Sequence, residues 1–243
     1  MKMFKRIFTW IGLSRREPKL QRHERELIDL IRGKNLTYCG KPKLENIAEA
    51  IRLVRNDAVP GSFLEAGVAL GGSAAAIARL KPADRELHLY DVFAMIPPPG
   101  ERDGSDAHAR YSEIRSGQSP GLGGNTYYGY VDGLLEVVKR NLVELSVEPE
   151  TDAVRFHPGL FQDTLYPEGP IAFAHIDADW HDSVLICLQR ITPFMSPGGI
   201  IVFDDYSSYS GCKTAVDEFL SEHHEYKVLF HRRSLGIRKS LQS

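Results

Sequence analysis

The sequence holds three cysteines in 243 residues, Cys39, Cys187 and Cys212. They make no C-x-x-C pair, which argues against a disulfide framework and a thiolate zinc site and points to a reducing, cytoplasmic setting. No apolar run approaches the ~20 residues needed to cross a bilayer, so the chain is not expected to span one. The N-terminal apolar stretch is broken by charge and lacks a small-residue cleavage site, unlike a secretory signal. The formal net charge of −2 offers no footprint for nucleic acid. Internal repeats and low-complexity tracts are absent. What remains is an ordinary globular composition, 42% hydrophobic and 26% charged, in a chain long enough to bury a core without staples. One α/β domain is the expectation over two small ones.

Charge is unevenly placed. Residues 1–34 carry ten Lys/Arg and four Asp/Glu, a net of +6, against −8 for the rest. In "MKMFKRIFTWIGLSRR" the apolar residues Phe4, Ile7, Phe8 and Ile11 follow helical spacing, with Lys2, Lys5 and Arg6 on other faces. Residues 1–16 read either as a basic amphipathic helix in peripheral contact with an anionic membrane, or as a docking helix or frayed terminus. Residues 1–35 are taken as an N-terminal extension and 36–243 as a single domain.

Two helices, "LQRHERELIDLI" and "KLENIAEAIRLV", precede a strand and glycine corner, "FLEAGVALGGSA". Leu44, Ile47, Ala48, Ile51 and Val54 give the second helix its apolar stripe. Strands "ELHLYD", "AVRFH", "IAFAHID" and "GIIVFD" then alternate with helices, and "YKVLFHRRSLGIRK" closes as a hairpin. Alternation of this kind predicts a mostly parallel sheet covered on both faces. Residues 92–130 break the rhythm with Pro97 to Pro99, many glycines, and Tyr111, Tyr127, Tyr128 and Tyr130. This stretch reads as a structureless lid or insert, or as a solvated loop.

Chemistry gathers at strand ends. The glycine corner permits close backbone approach to a ligand at a helix N-terminus, yet it is not G-x-G-x-x-G. Glu65 before it suits a cationic ligand group better than a pyrophosphate. Asp91, ending the next strand, is placed to accept from ribose hydroxyls. Together they favour an adenosine ligand with a cationic tail, as in S-adenosylmethionine. The run "IAFAHID" ends in Asp177, with Asp179 and Asp182 close behind, and "IVFDDY" supplies Asp204 and Asp205. Carboxylates that converge repel unless protonated or held by a cation, and oxygen-only ligands suit Mg²⁺ or another divalent ion. Helix capping by Asp179 or Asp182 accounts for only part of the set.

The glycine corner, the strand-end acid, "HIDAD" and "IIVFDDY…CKTAVDEF" together resemble the macrocin O-methyltransferase family, from about Leu36 to about Phe219. The resemblance implies a Rossmann-like class I methyltransferase fold, with a seven-stranded, mostly parallel sheet, a closing antiparallel hairpin and helices on both faces. It implies S-adenosylmethionine and a divalent metal as cofactors, and a sugar or natural-product hydroxyl as acceptor. By resemblance Asp177, Asp204 and Asp205 hold the metal and Asp179 is the general base. Glu65, Gly67, Gly71 and Ser73 hold the methionine end of the cofactor, Asp91 its ribose, and Gly159, Phe161 and Gln162 its adenine edge. The family usually has an aromatic and a basic residue where Ala69 and Leu70 stand here, and Leu-Tyr where Trp180 and His181 stand.

Methyl transfer from a sulfonium needs an acceptor oxygen aimed at the methyl carbon and at least partly deprotonated. A cation chelating adjacent hydroxyls does both, and Asp179 takes the proton, with His181 as the rival base. His175, sharing strand parity with Asp177, reads as a hydrogen-bonded core residue. Two other readings compete, a nucleotide-sugar glycosyltransferase using D-x-D and a cofactor-binding scaffold without catalysis; a haloacid-dehalogenase phosphatase would want that strand first in its domain and a small hydroxyl or β-branched residue at His181, and neither holds. The expectation is a Mg²⁺-dependent O-methyltransferase acting on a small-molecule or glycoside acceptor, cytoplasmic with a membrane-peripheral variant, homo-oligomeric, and without a nucleic-acid partner.

Overall fold

In a computed structural model that describes residues 17–241, seven strands form one sheet in the order β3-β2-β1-β4-β5-β7-β6. The strands are β1 (Ser62–Ala66), β2 (Leu87–Asp91), β3 (Val154–Pro158), β4 (Ile171–Ile176), β5 (Met195–Phe203), β6 (Tyr226–His231) and β7 (Leu235–Lys239). β1 to β5 run parallel; β7 is antiparallel to both β5 and β6. This is the class I methyltransferase arrangement. The basic helix expected in residues 1–16 lies outside the described residues.

Helices cover both faces because the central strands bury both. Every residue of β4 is buried. Phe173 joins the core under α1 (Arg22–Gly33), α2 (Lys41–Asn56) and α3 (Gly72–Leu80), while Ala174 and Ile176 join the opposite core. That second core is closed by α7 (His181–Ile191) and α8 (Ser210–Glu222). The α2 stripe of Leu44, Ile47, Ala48, Ile51 and Val54 is wholly buried, each larger aliphatic contributing roughly 1.5–3 kcal/mol. α1 packs on α2 and α3 and lends Leu27, Ile28 and Ile31 to the same core. The chain runs from β1 outward through β2 and β3, then returns to β4 on β1's other side. The crevice at this reversal is where open α/β sheets bind ligands.

Residues 92–130 are not structureless. They hold helix α4 (Ser105–Arg115) and two short 3-10 turns, at Leu122–Gly124 and Tyr128–Tyr130. Only Ala107 and Ile114 of α4 are buried, so no apolar stripe announced it. The segment is pinned onto the carboxyl edge of the sheet. Trp180 Nε1 donates to the Pro97 carbonyl (2.9 Å), His181 N to Asp103 Oδ1 (2.7 Å) and Ser210 N to Asp106 Oδ2 (2.8 Å). After it come α5 (Leu134–Glu144) and, beyond β3, the single turn α6 (Phe161–Thr164).

Candidate active site

A cleft of about 230 Å³ opens over the carboxyl ends of β1, β2, β4 and β5, roofed by the 92–130 segment. Its cofactor side is built by tight backbone turns. Gly67 follows β1 at φ 91°, and a Cβ there would stand 1.9 Å from the Asp177 carbonyl oxygen. Glycine is thus required sterically where the corner meets the end of β4. Ala69, in the same turn, takes φ 48°, a conformation uncommon outside glycine. Asp91 locks this turn: Oδ2 accepts from Val68 N (2.6 Å) and Ala69 N (3.2 Å), Oδ1 from Phe93 N (2.7 Å). Burial raises the Asp91 carboxyl above its ordinary value while those three N–H groups pull it back. Its oxygens therefore fix the corner while Asp91 itself lines the cleft.

Gly67, Asp91, Gly159, Phe161 and Gln162 all line the cleft. Glu65, Gly71 and Ser73 do not. Gly71 caps α3 in a left-handed conformation, and Ser73 is buried in its first turn. Glu65 is fully buried, its Oε1 2.8 Å from His175 Nδ1, and its Oε2 has no hydrogen-bond partner. A buried carboxylate oxygen left free beside the corner fits an ammonium donor such as the methionine end of the cofactor.

The acids converge. Oxygens of Asp177, Asp179 and Asp205 lie within 4.8 Å of one another. Burial, then the charges of Asp204 and Asp205, push the Asp177 carboxyl well above the usual carboxylate range. Burial and Asp205 do the same to Asp179, which also sits at φ 52°.

Asp204 stands slightly apart, with Oδ2 2.5 Å from Lys43 Nζ. The ammonium also reaches Asp205 Oδ1 at 3.3 Å. Burial works to raise Asp204, but facing His175 and Lys43 outweigh it and hold it below its ordinary value. Lys43 is opposed by burial yet held above its ordinary value by Asp205 and Asp204. Four carboxylates thus face one ammonium, a donor set of hard oxygens that fits a divalent cation of the Mg²⁺ kind.

His181 does not join them. It is fully buried, with Nδ1 2.7 Å from Asp182 Oδ1 and Nε2 3.7 Å from Glu218, and it lies outside the cleft lining. Sequence reasoning missed Lys43, Tyr38 and Arg110, which do line the cleft. A lysine on an amphipathic helix reads as a solvated residue until the tertiary fold brings it to the acids.

Fold and site together define a class I O-methyltransferase. The family model for macrocin-O-methyltransferase (TylF) matches residues 9–231, and the chain belongs to that family; it is an S-adenosylmethionine-dependent O-methyltransferase. It is 31% identical over 189 residues to the 8-demethyl-8-(2,3-dimethoxy-alpha-L-rhamnosyl)-tetracenomycin-C 4'-O-methyltransferase of Streptomyces olivaceus, covering 75% of this chain and 67% of that one. It is 33% identical over 190 residues to the demethyldecarbamoylnovobiocin O-methyltransferase of Streptomyces niveus, with the same coverage. Among solved structures, the O-methyltransferase NovP superposes with a TM-score of 0.72 at 24% identity, over 90% of this chain and 98% of that one. The glycosyltransferase reading falls with this family membership.

Proposed function

We propose that the protein transfers the methyl group of S-adenosylmethionine to a hydroxyl of a sugar or glycosylated natural product, with a Mg²⁺-type cation at the acid cluster. The observation that carries the reading is the meeting of Asp177, Asp179 and Asp205 beside the Gly67 corner at the reversal of strand order. The acceptor class is supported by the relatives whose names describe methylation of a rhamnosyl-tetracenomycin and of demethyldecarbamoylnovobiocin.

In this reading Asp177 and Asp205 hold the cation, joined by Asp204 once Lys43 withdraws. When bound, such an ion orients adjacent hydroxyls and stabilises developing alkoxide charge. Asp179, against the cluster but raised in pKa by burial, accepts the acceptor's proton. Glu65 Oε2 takes the cofactor ammonium, with Gly67, Gly71 and Ser73 shaping that end. Asp91 faces the ribose, and Gly159, Phe161 and Gln162 the adenine. Tyr38, Tyr127 and Tyr209 wall the remaining space with apolar faces suited to a sugar ring.

The test is transfer of radiolabelled methyl from S-adenosylmethionine to a panel of glycosides, with and without EDTA. Turnover should require the divalent ion, and the D204A/D205A double variant should lose it while keeping cofactor affinity. Turnover that survives EDTA would remove the cation from the account. Binding of UDP-sugars in place of S-adenosylmethionine would remove methyl transfer itself.

A further inference from the structure

One buried group is unused by that reading. His175 is fully inaccessible near the carboxyl end of β4, between Glu65 of β1 and Asp204 just past β5. It is the register partner of Glu65 on β1, and its Nδ1 stands 2.8 Å from Glu65 Oε1. On the other side Nε2 faces Asp204 Oδ1 across 3.7 Å, just past β5. That gap exceeds a hydrogen bond, and both facing atoms, like Glu65 Oε2, are buried without a partner. Buried polar atoms are ordinarily satisfied, so three unsatisfied atoms on one line mark an arrangement awaiting its ligands. One end of the line is the proposed ammonium acceptor and the other a proposed cation ligand that Lys43 now engages through Oδ2.

We propose that His175 is a positioning residue that couples cofactor binding to cation binding, holding Glu65 through Nδ1 and Asp204 through Nε2; this rests on the assignment of those two carboxylates under the proposed function. A cation that releases Asp204 from Lys43 lets Oδ1 close on Nε2. The imidazole, fixed at both ends, then holds Glu65 with Oε2 turned to the cofactor. The reverse path runs from cofactor to cation, because coupling between sites is reciprocal.

The experiment is calorimetry with Mg²⁺ and S-adenosylhomocysteine as the two probes on the full chain. In the wild type each ligand should tighten the other by about fivefold or more, the lower range of measured site–site couplings. H175N keeps an N–H near the Nδ1 position and H175Q near the Nε2 position. H175N should therefore hold S-adenosylhomocysteine nearly as well as the wild type and lose Mg²⁺ affinity; H175Q should do the opposite; neither should retain the coupling. Wild-type coupling surviving in both variants, or parallel loss of both ligands in each, overturns the proposal and leaves methyl transfer untouched. A wild type that binds no Mg²⁺ overturns the cation reading, and this proposal with it. Should the variants fail to fold, wild-type protein labelled with ¹⁵N-histidine answers the same question. One imidazole should respond to each ligand added separately, and silence of every imidazole to both contradicts the coupling.

Discussion

Lys43 places its ammonium 2.5 Å from Asp204 Oδ2, joining α2 to the acid-bearing end of β5 across 161 residues of sequence. Asp204 is 3% exposed, so this is a contact made largely out of water. Under the proposed function Lys43 occupies the place of the cation, and it yields when Asp204 ligates one.

Replacing it should expose that competition. In K43M the carboxylates lose their counter-charge, and breaking a buried ion pair from one side typically costs about 3–5 kcal/mol. The EDTA-treated variant is expected to melt well below the wild type, to recover most of the difference in saturating Mg²⁺, and to bind Mg²⁺ several-fold more tightly. Differential scanning calorimetry and titration calorimetry read both effects. Weaker Mg²⁺ binding in K43M would instead make Lys43 a supporting member of the site.

The roof of the cleft is tied down at Trp180, whose indole donates to the Pro97 carbonyl and meets Tyr209 edge-on at 5.3 Å. W180F keeps most of the buried ring and removes the donor, a loss of about 1 kcal/mol at the anchor. The expected result is a higher KM for the acceptor, unchanged affinity for S-adenosylhomocysteine, and faster tryptic cleavage within residues 92–130. Equal cleavage rates for the two proteins would show that the anchor does not restrain the segment.

A separate pH dependence is set at the far edge of the sheet. His88 Nδ1 and His157 Nε2 lie 3.1 Å apart on β2 and β3, and His157 stacks on Tyr90 at 4.3 Å. Burial lowers both histidines below 6.5, and for His157 the neighbouring His88 adds to the effect. The unfolded chain therefore takes up protons first as the solution acidifies. Stability from this pair is complete above pH ~6.5 and declines as pH falls towards the lower folded-state values. Melting temperature should drop more steeply between pH 7.5 and 5.5 in the wild type than in H157F. Parallel slopes would assign the acid sensitivity elsewhere.

Much of the fold was readable because its signals are local. An apolar run ended by an acid marks β2, β4 and β5, a glycine corner marks the end of β1, and the α2 stripe declares its buried face. The convergence of Asp177 with Asp205 could be anticipated once their strands were taken as neighbours. Helix α4 could not, since it buries two side chains and is bracketed by glycine and proline. Neither could the roles of Lys43 and His175. A lysine on an amphipathic helix and a histidine in an apolar strand have ordinary explanations, and only strand register and helix packing bring them to Asp204. Trp180, where the chain departs from its family's usual residue, turns out to fasten the roof through its indole to Pro97, while at His181 the main-chain N–H donates to Asp103.

The central claim is that the strand-end acids share one divalent ion facing the cofactor. A crystal of the complex with Mn²⁺ and S-adenosylhomocysteine tests it through the anomalous signal of the metal. The account predicts a single peak within coordination distance, roughly 2.1–2.3 Å, of Asp177 and Asp205 oxygens, with the Lys43 ammonium moved off Asp204. A cluster without a peak, in protein that still binds the cofactor and still pairs Lys43 with Asp204, would contradict it.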